Sequence, residues 1–200
     1  MNDFTQTVND LATHGWSLTT DFLPPDTITR LAWEIRQHFS QGDMRQAGVS
    51  LQRQVNTNIR SDFILWLEEG ELTAAQRIYF DALEQLRQEV NAGLQLGIFE
   101  FEGHAALYPA GSFYQRHLDR FQNNNQRSLS CILYLNEHWQ ESDGGLLRLY
   151  LNENEHMDIV PKGGLLVAFL SDRFWHEVLP ANKERLSITG WFKTRGPALP

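Results

Sequence analysis

Tyr114-Gln115-Arg116-His117-Leu118-Asp119 is the stretch around which the rest of the chain organises itself. In an extended segment, residues i and i+2 point the same way. His117 and Asp119 can therefore present an imidazole and a carboxylate to one point. His176 stands 57 residues beyond Asp119, and Arg185 nine beyond that. Groups so distant in sequence converge naturally when their strands face each other across the mouth of a β-barrel.

The surrounding sequence supports such a barrel. From Phe99 onward, short apolar runs alternate with turn residues at the spacing of an all-β sandwich or barrel. The runs are Phe99–Tyr108, Phe113–His117, Ser128–Leu135, Leu146–Leu151, His156–Val160, Leu165–Leu170, Trp175–Leu179 and Arg185–Lys193. Pro109-Ala110-Gly111, Asp143-Gly144-Gly145 and Lys162-Gly163-Gly164 punctuate them. About eight strands suggest a jelly roll, or double-stranded β-helix.

The first half reads as support. Asp3 to Thr13 suits a short helix stopped by Gly15, and Trp16 to Phe22 a short strand. Pro24 and Pro25 open a helix reaching about Ser40, with Ile28, Leu31, Ile35 and Phe39 on one stripe. Leu72 to Leu94 is the clearest helix. Ile78, Ala82, Leu86, Val90 and Leu94 recur at intervals of four, flanked by Phe80 and Leu83, and Gly93 and Gly97 are expected to end it. Gln41 to Asn58 is polar with no clean period and is expected to be a mobile loop over a site. The expectation is an all-β core with flanking helices: one domain over 1–200, with mixed support over 1–98 and a jelly-roll core over 99–195.

Composition narrows the function classes. The formal net charge of −8 argues against nucleic acid or an anionic membrane as partner, both of which favour a basic face. No apolar run approaches membrane-spanning length. The start, Met1 to Gln6, lacks the basic and apolar pattern of a signal peptide. Cys131 is the sole cysteine, so neither an internal disulfide nor a thiolate cage can form, and an inert buried thiol is its default role. A reducing, cytoplasmic location is the default expectation.

Two histidines and a carboxylate form the facial triad of non-haem Fe(II), which leaves three positions open on the metal. The same donors suit Mn(II), Zn(II) or Ni(II). Arg185 narrows the choice. Along Arg185-Leu186-Ser187-Ile188-Thr189-Gly190-Trp191, alternate residues share a face, so Arg185, Ser187, Thr189 and Trp191 point together. If that face lines the barrel, a buried cation needs an anion. A dicarboxylate such as 2-oxoglutarate, held by the metal at one end and by Arg185 at the other, meets both needs. Tyr134 is placed to donate a second hydrogen bond to the distal carboxylate.

From about Ile59 the chain resembles the Fe(II)- and 2-oxoglutarate-dependent prolyl 4-hydroxylases, most of all the hypoxia-inducible-factor prolyl hydroxylases and their bacterial relatives. Ile59-Arg60-Ser61-Asp62, Tyr108-Pro109, Tyr114 through Asp119, Cys131 through Asn136, Gly144 through Arg148, Ser171-Asp172-Arg173 with His176-Glu177-Val178, and Arg185 through Trp191 carry the resemblance in order. It implies iron ligation by His117, Asp119 and His176, which are also the catalytic residues. It implies 2-oxoglutarate binding by Arg185 and Tyr134, with Tyr108, Thr189 and Trp191 lining the pocket. Arg127 matches a family arginine near the peptide, and Asp62 a family acid at the base of the closing loop. A salt bridge between Asp62 and Arg127 on closure is expected. The resemblance further implies O2 as cosubstrate, ascorbate as a supporting reductant, succinate and CO2 as co-products, and a proline-containing protein or peptide as substrate. Bacterial relatives point by analogy to a translation factor or ribosomal protein.

Three other functions compete: an oxygenase acting on a free amino acid or other small molecule, a non-redox metal cupin, and a metal-free binding module. The last two leave Arg185 without a role. His14 and His38 read as exposed, and His104, His138 and His156 lack a carboxylate partner at metal spacing. Arg116 and Arg120 read as solvated charges.

Overall fold

The computed structural model describes residues 3–49, 54–119 and 126–195. Among the described residues three α-helices fall before residue 95, interleaved with strands that join the barrel: α1 (Thr5–His14), α2 (Pro25–Gln41) and α3 (Ala74–Leu94). The strands are β1 (Trp16–Thr19), β2 (Arg45–Gln46), β3 (Gly48–Val49), β4 (Gln54–Val55), β5 (Phe63–Trp66), β6 (Ile98–Tyr108) and β7 (Tyr114–His117), then β8 (Arg127–Tyr134), β9 (Leu147–Tyr150), β10 (His156–Ile159), β11 (Leu166–Leu170), β12 (His176–Val178) and β13 (Arg185–Thr194).

A major sheet runs β1-β11-β8-β13-β6-β5-β2 and a minor sheet β10-β9-β12-β7. Their neighbouring strands pair antiparallel. The fold is the expected jelly roll. Period-two alternation in the major sheet separates two cores. Leu129, Cys131 and Leu133 on β8, with Leu186 and Ile188 on β13, pack toward the helices beside Leu31, Ile35, Tyr79 and Leu86. Ile132 and Tyr134 instead meet Leu147, Leu149, Phe169 and Val178 between the sheets. Both faces of the major sheet are thus covered, and each fully buried leucine stabilises the fold by about 1.5–3 kcal/mol. Among the described residues, no helix is long and apolar enough to cross a membrane.

Pro25 occupies the first turn of α2, where its missing N–H costs nothing. Thr73 and Gln76 form a capping box at the start of α3. The burial stripe of α3 differs from the expected one. Ile78 is 45% exposed, whereas Ala75, Tyr79, Ala82, Leu83, Leu86 and Val90 are buried. Strict intervals of four drift around a helix of 3.6 residues per turn, so a stripe extended by fours leaves the buried face. Nor does Gly93 end the helix. It lies within α3, where a Cβ would come within 2.5 Å of Val8 on α1, so its role is close helix contact. Gln95, at φ 53°, is the C-cap.

The expected 41–58 loop is also corrected. Positions 50–53 lie outside the described residues, as does Arg120. Elsewhere β2 pairs with β5, β3 pairs with β4, and Met44 and Ala47 are buried. Two-residue strands held by backbone bonds carry no apolar alternation, so sequence periodicity passes over them.

Candidate active site

The space between the sheets opens as a cavity of about 960 Å³ that reaches both His117 and Arg185. β7 and β12 place the two histidines. They pair antiparallel with His176 directly opposite His117, and the ring centroids are 4.2 Å apart. His117 Nδ1 lies 2.7 Å from the Gln115 carbonyl and His176 Nδ1 3.1 Å from that of Phe174. A carbonyl only accepts, so each ring donates to it from Nδ1 and turns Nε2 inward. Burial and the neighbouring His176 push the His117 imidazole down to about 3, which keeps it neutral. Tyr114 stacks on His117 at 3.6 Å.

Asp119 completes the cluster. His117 Nε2 lies 3.8 Å from its Oδ1 and His176 Nε2 3.6 Å from its Oδ2. One donor atom from each residue falls within 4.8 Å of the others. Burial alone raises the Asp119 carboxyl, but His176, His117 and the Ser130 hydroxyl reverse this and hold it below the usual carboxylate range. The Trp191 indole N–H adds to that effect from nearby without forming a hydrogen bond. Two unprotonated imidazole nitrogens and an ionised carboxylate, already converging, fit a divalent transition metal.

Arg185 lies deeper, at 1% exposure. Its Nε donates to the Gly145 carbonyl at 2.8 Å. Its guanidinium lies 5.1 Å from the Tyr108 ring centroid and 5.0 Å from that of Tyr134. Among the described residues no carboxylate forms an ion pair with it. Among the described residues the buried Tyr134 and Ser187 hydroxyls also lack a well-formed hydrogen bond, and the nearby Arg185 only opposes the upward shift of the Tyr134 phenol. Burial pushes the Tyr134 phenol up to about 12 and raises Tyr108 further, so both remain protonated donors. A fixed cation with two unpaired hydroxyls nearby fits one carboxylate group.

Thr189 and Trp191 line the same cavity, as the alternation on β13 predicts. Arg127 lies 3.5 Å over the Trp191 ring and donates to Glu102 at 2.8 Å. The expected Asp62–Arg127 bridge is absent. Asp62 is fully buried and accepts a hydrogen bond from Arg60 Nε at 2.7 Å. The two residues lie two apart on one extended edge, a local pairing that outcompetes a distant arginine. Asp62 does not line the cavity, while Arg60 does.

Sequence reading also missed His104. It is buried at the cavity wall between Trp66 and Trp191, at ring distances of 5.0 and 5.5 Å. The signal was available, because His104 alternates with Tyr108 along β6 and pairs with Thr189.

Residues 103–193 match the model of the 2OG-Fe(II) oxygenase superfamily. A crystal structure of a Pseudomonas putida prolyl-4-hydroxylase is 47% identical, covers 97% of this chain and 100% of that one, and superposes with a TM-score of 0.89. A Trichoplax adhaerens prolyl hydroxylase, in complex with a hypoxia inducible factor oxygen degradation domain peptide fragment, is 31% identical over 93% of this chain and 86% of that one, with a TM-score of 0.84. Human Egl nine homolog 1 is 33% identical over 190 residues, which is 90% of this chain and 44% of the human protein. The chain thus spans about half the length of the curated relatives it matches.

Proposed function

Since the chain belongs to the 2OG-Fe(II) oxygenase superfamily, we propose that it hydroxylates a prolyl residue in a protein or peptide, with Fe(II), 2-oxoglutarate and O2. The principal support is the placing on one cavity of the His117–Asp119–His176 cluster and the buried Arg185, which has no carboxylate partner among the described residues. Likeness to two prolyl hydroxylase structures supports the prolyl substrate.

In this proposal His117, Asp119 and His176 hold the metal. Bound there with 2-oxoglutarate and O2, Fe(II) supplies oxidative hydroxylation with succinate and CO2 as co-products. The protein contributes position and exclusion of water. Arg185 holds the distal carboxylate as a planar fork, and Tyr134 and Ser187 donate the remaining hydrogen bonds. Tyr108, protonated and with its ring centroid 5.1 Å from the guanidinium, shields that end. The apolar wall of Ile132, Leu147 and Val178 keeps water from the reacting centre. A peptide reaches the cavity past Arg127, whose guanidinium packs over the buried Trp191. The lone buried cysteine suits a reducing compartment such as the cytoplasm.

The test is anaerobic loading with Fe(II), then aerobic turnover with 2-oxoglutarate and proline-containing peptides. Succinate should form, and a peptide should gain one oxygen in mass. Turnover without added iron removes the metal assignment. Stimulation by free amino acids alone moves the substrate class to small molecules.

A further inference from the structure

Each imidazole of the cluster is held by a carbonyl bond, but Asp119 lies two residues past the end of β7. Its carboxylate is oriented by side chains instead. Ser130 Oγ lies 2.7 Å from Asp119 Oδ2, and Ser171 Oγ lies 2.9 Å from Ser130 Oγ. Both serines are fully buried, so water does not compete. An ionised carboxylate only accepts, so Ser130 donates to Asp119. The Ser130 oxygen then accepts the Ser171 proton, which sets both hydroxyl rotors.

Building on the metal-site assignment above, we propose that Ser130 and Ser171 form a two-hydroxyl relay that positions Asp119 for one-oxygen metal ligation. The relay engages Oδ2, which also lies 3.6 Å from His176 Nε2, and leaves Oδ1, 3.8 Å from His117 Nε2, without a hydroxyl donor from the relay. Single-oxygen ligation matters because a chelating carboxylate would fill a coordination position that the open face of the triad needs. The placement is specific. Ser130 sits on β8 opposite Phe169 of β11 and Trp191 of β13, on the face of the major sheet that looks toward the minor sheet. A hydroxyl there without partners would be costly, and this one has two. Ser171 follows the last residue of β11, so the relay ties Asp119 to the central strands of the major sheet.

Metal binding tests this without turnover. The full chain, stripped of metal, is titrated with Mn(II) followed by electron paramagnetic resonance, and with Co(II) followed by visible absorption. Ser130→Ala should weaken Mn(II) binding 10- to 100-fold, the usual cost of losing an outer partner of a ligand. It should also shift the Co(II) bands. Ser171→Ala should weaken binding several-fold, and Ser130→Thr, which keeps the hydroxyl, should recover most of the affinity. Wild-type Mn(II) affinity and an unchanged Co(II) spectrum in a folded Ser130→Ala protein overturn the proposal. If Ser130→Ala does not fold, Ser171→Ala decides, and wild-type affinity there overturns the relay. Equal Mn(II) affinity in the wild type and His176→Ala would instead remove the metal site itself, a separate outcome.

Discussion

His117 and His176 face each other on paired strands, and each ring is held through Nδ1 by the carbonyl two residues before it. This common arrangement turns both Nε2 atoms toward Asp119. Replacing either histidine by alanine should abolish Mn(II) binding and 2-oxoglutarate turnover. His156→Ala should leave both intact, because that side chain lies partly exposed on β10. Metal titration and succinate formation measured on the three variants check the assignment.

Arg185 should govern 2-oxoglutarate affinity and not metal affinity. Truncating one partner of a buried charged pair costs about 2–5 kcal/mol, so Arg185→Ala should weaken 2-oxoglutarate roughly 30-fold or more. Tyr134→Phe removes one hydrogen bond worth about 1 kcal/mol, roughly fivefold. Equal 2-oxoglutarate dissociation constants for wild type and Arg185→Ala would rule out the anchor.

Ligand binding should appear as thermal stabilisation. At 100 times the dissociation constant, a ligand specific to the folded state adds about 2.7 kcal/mol. For a chain of this size that is roughly 5–10 °C in Tm. Mn(II) with 2-oxoglutarate should produce such a shift in the wild type and lose most of the 2-oxoglutarate increment in Arg185→Ala. Differential scanning fluorimetry with succinate as control measures it.

His104 should make the metal-free protein acid-sensitive. Burial, reinforced by Arg60 and Arg127, pushes its imidazole down from 6.5 to about 3. The folded state therefore resists a proton that the unfolded chain binds. That stability is complete above about pH 6.5 and is lost as the pH falls toward about 3, at up to about 1.4 kcal/mol per pH unit. Urea unfolding between pH 6.5 and 5, where most carboxylates stay ionised, should show a shallower slope in His104→Gln. Superimposable slopes would exclude His104 as the cause.

Asp62→Asn should destabilise the fold, because it leaves the mostly buried Arg60 guanidinium without its counter-charge. Breaking a buried pair costs about 3–5 kcal/mol. Arg127→Ala should cost less, because its ion pair with Glu102 is partly exposed. Similar unfolding midpoints for Asp62→Asn and wild type would contradict the buried pairing.

The barrel was legible because its strands are long enough to show alternation. The eight expected runs correspond to β6 through β13, with ends shifted by a residue or two. The spacing of His117, Asp119 and His176 was equally readable, since residues i and i+2 of an extended segment must share a face. What escaped depends on tertiary neighbours. β2, β3 and β4 are too short and polar to show a period. Asp62 had two arginines to choose from, and only coordinates reveal that Arg60 is the nearer. His104 has no carboxylate partner at metal spacing in the sequence, although its position on β6 points it at the cavity. In sequence Ser130 is one polar residue between Leu129 and Cys131, and its bond to Asp119 comes from tertiary packing alone.

The two imidazoles belong to the minor sheet, whereas Arg185, Tyr134 and the serines that hold Asp119 belong to or adjoin the major one. An ion shared by the three donors, as proposed above, would staple the two walls together, with the helices stiffening only the wall behind Arg185. Amides of β7 and β12 should then exchange with solvent faster in the metal-free protein, while those of β8 and β13 hardly change.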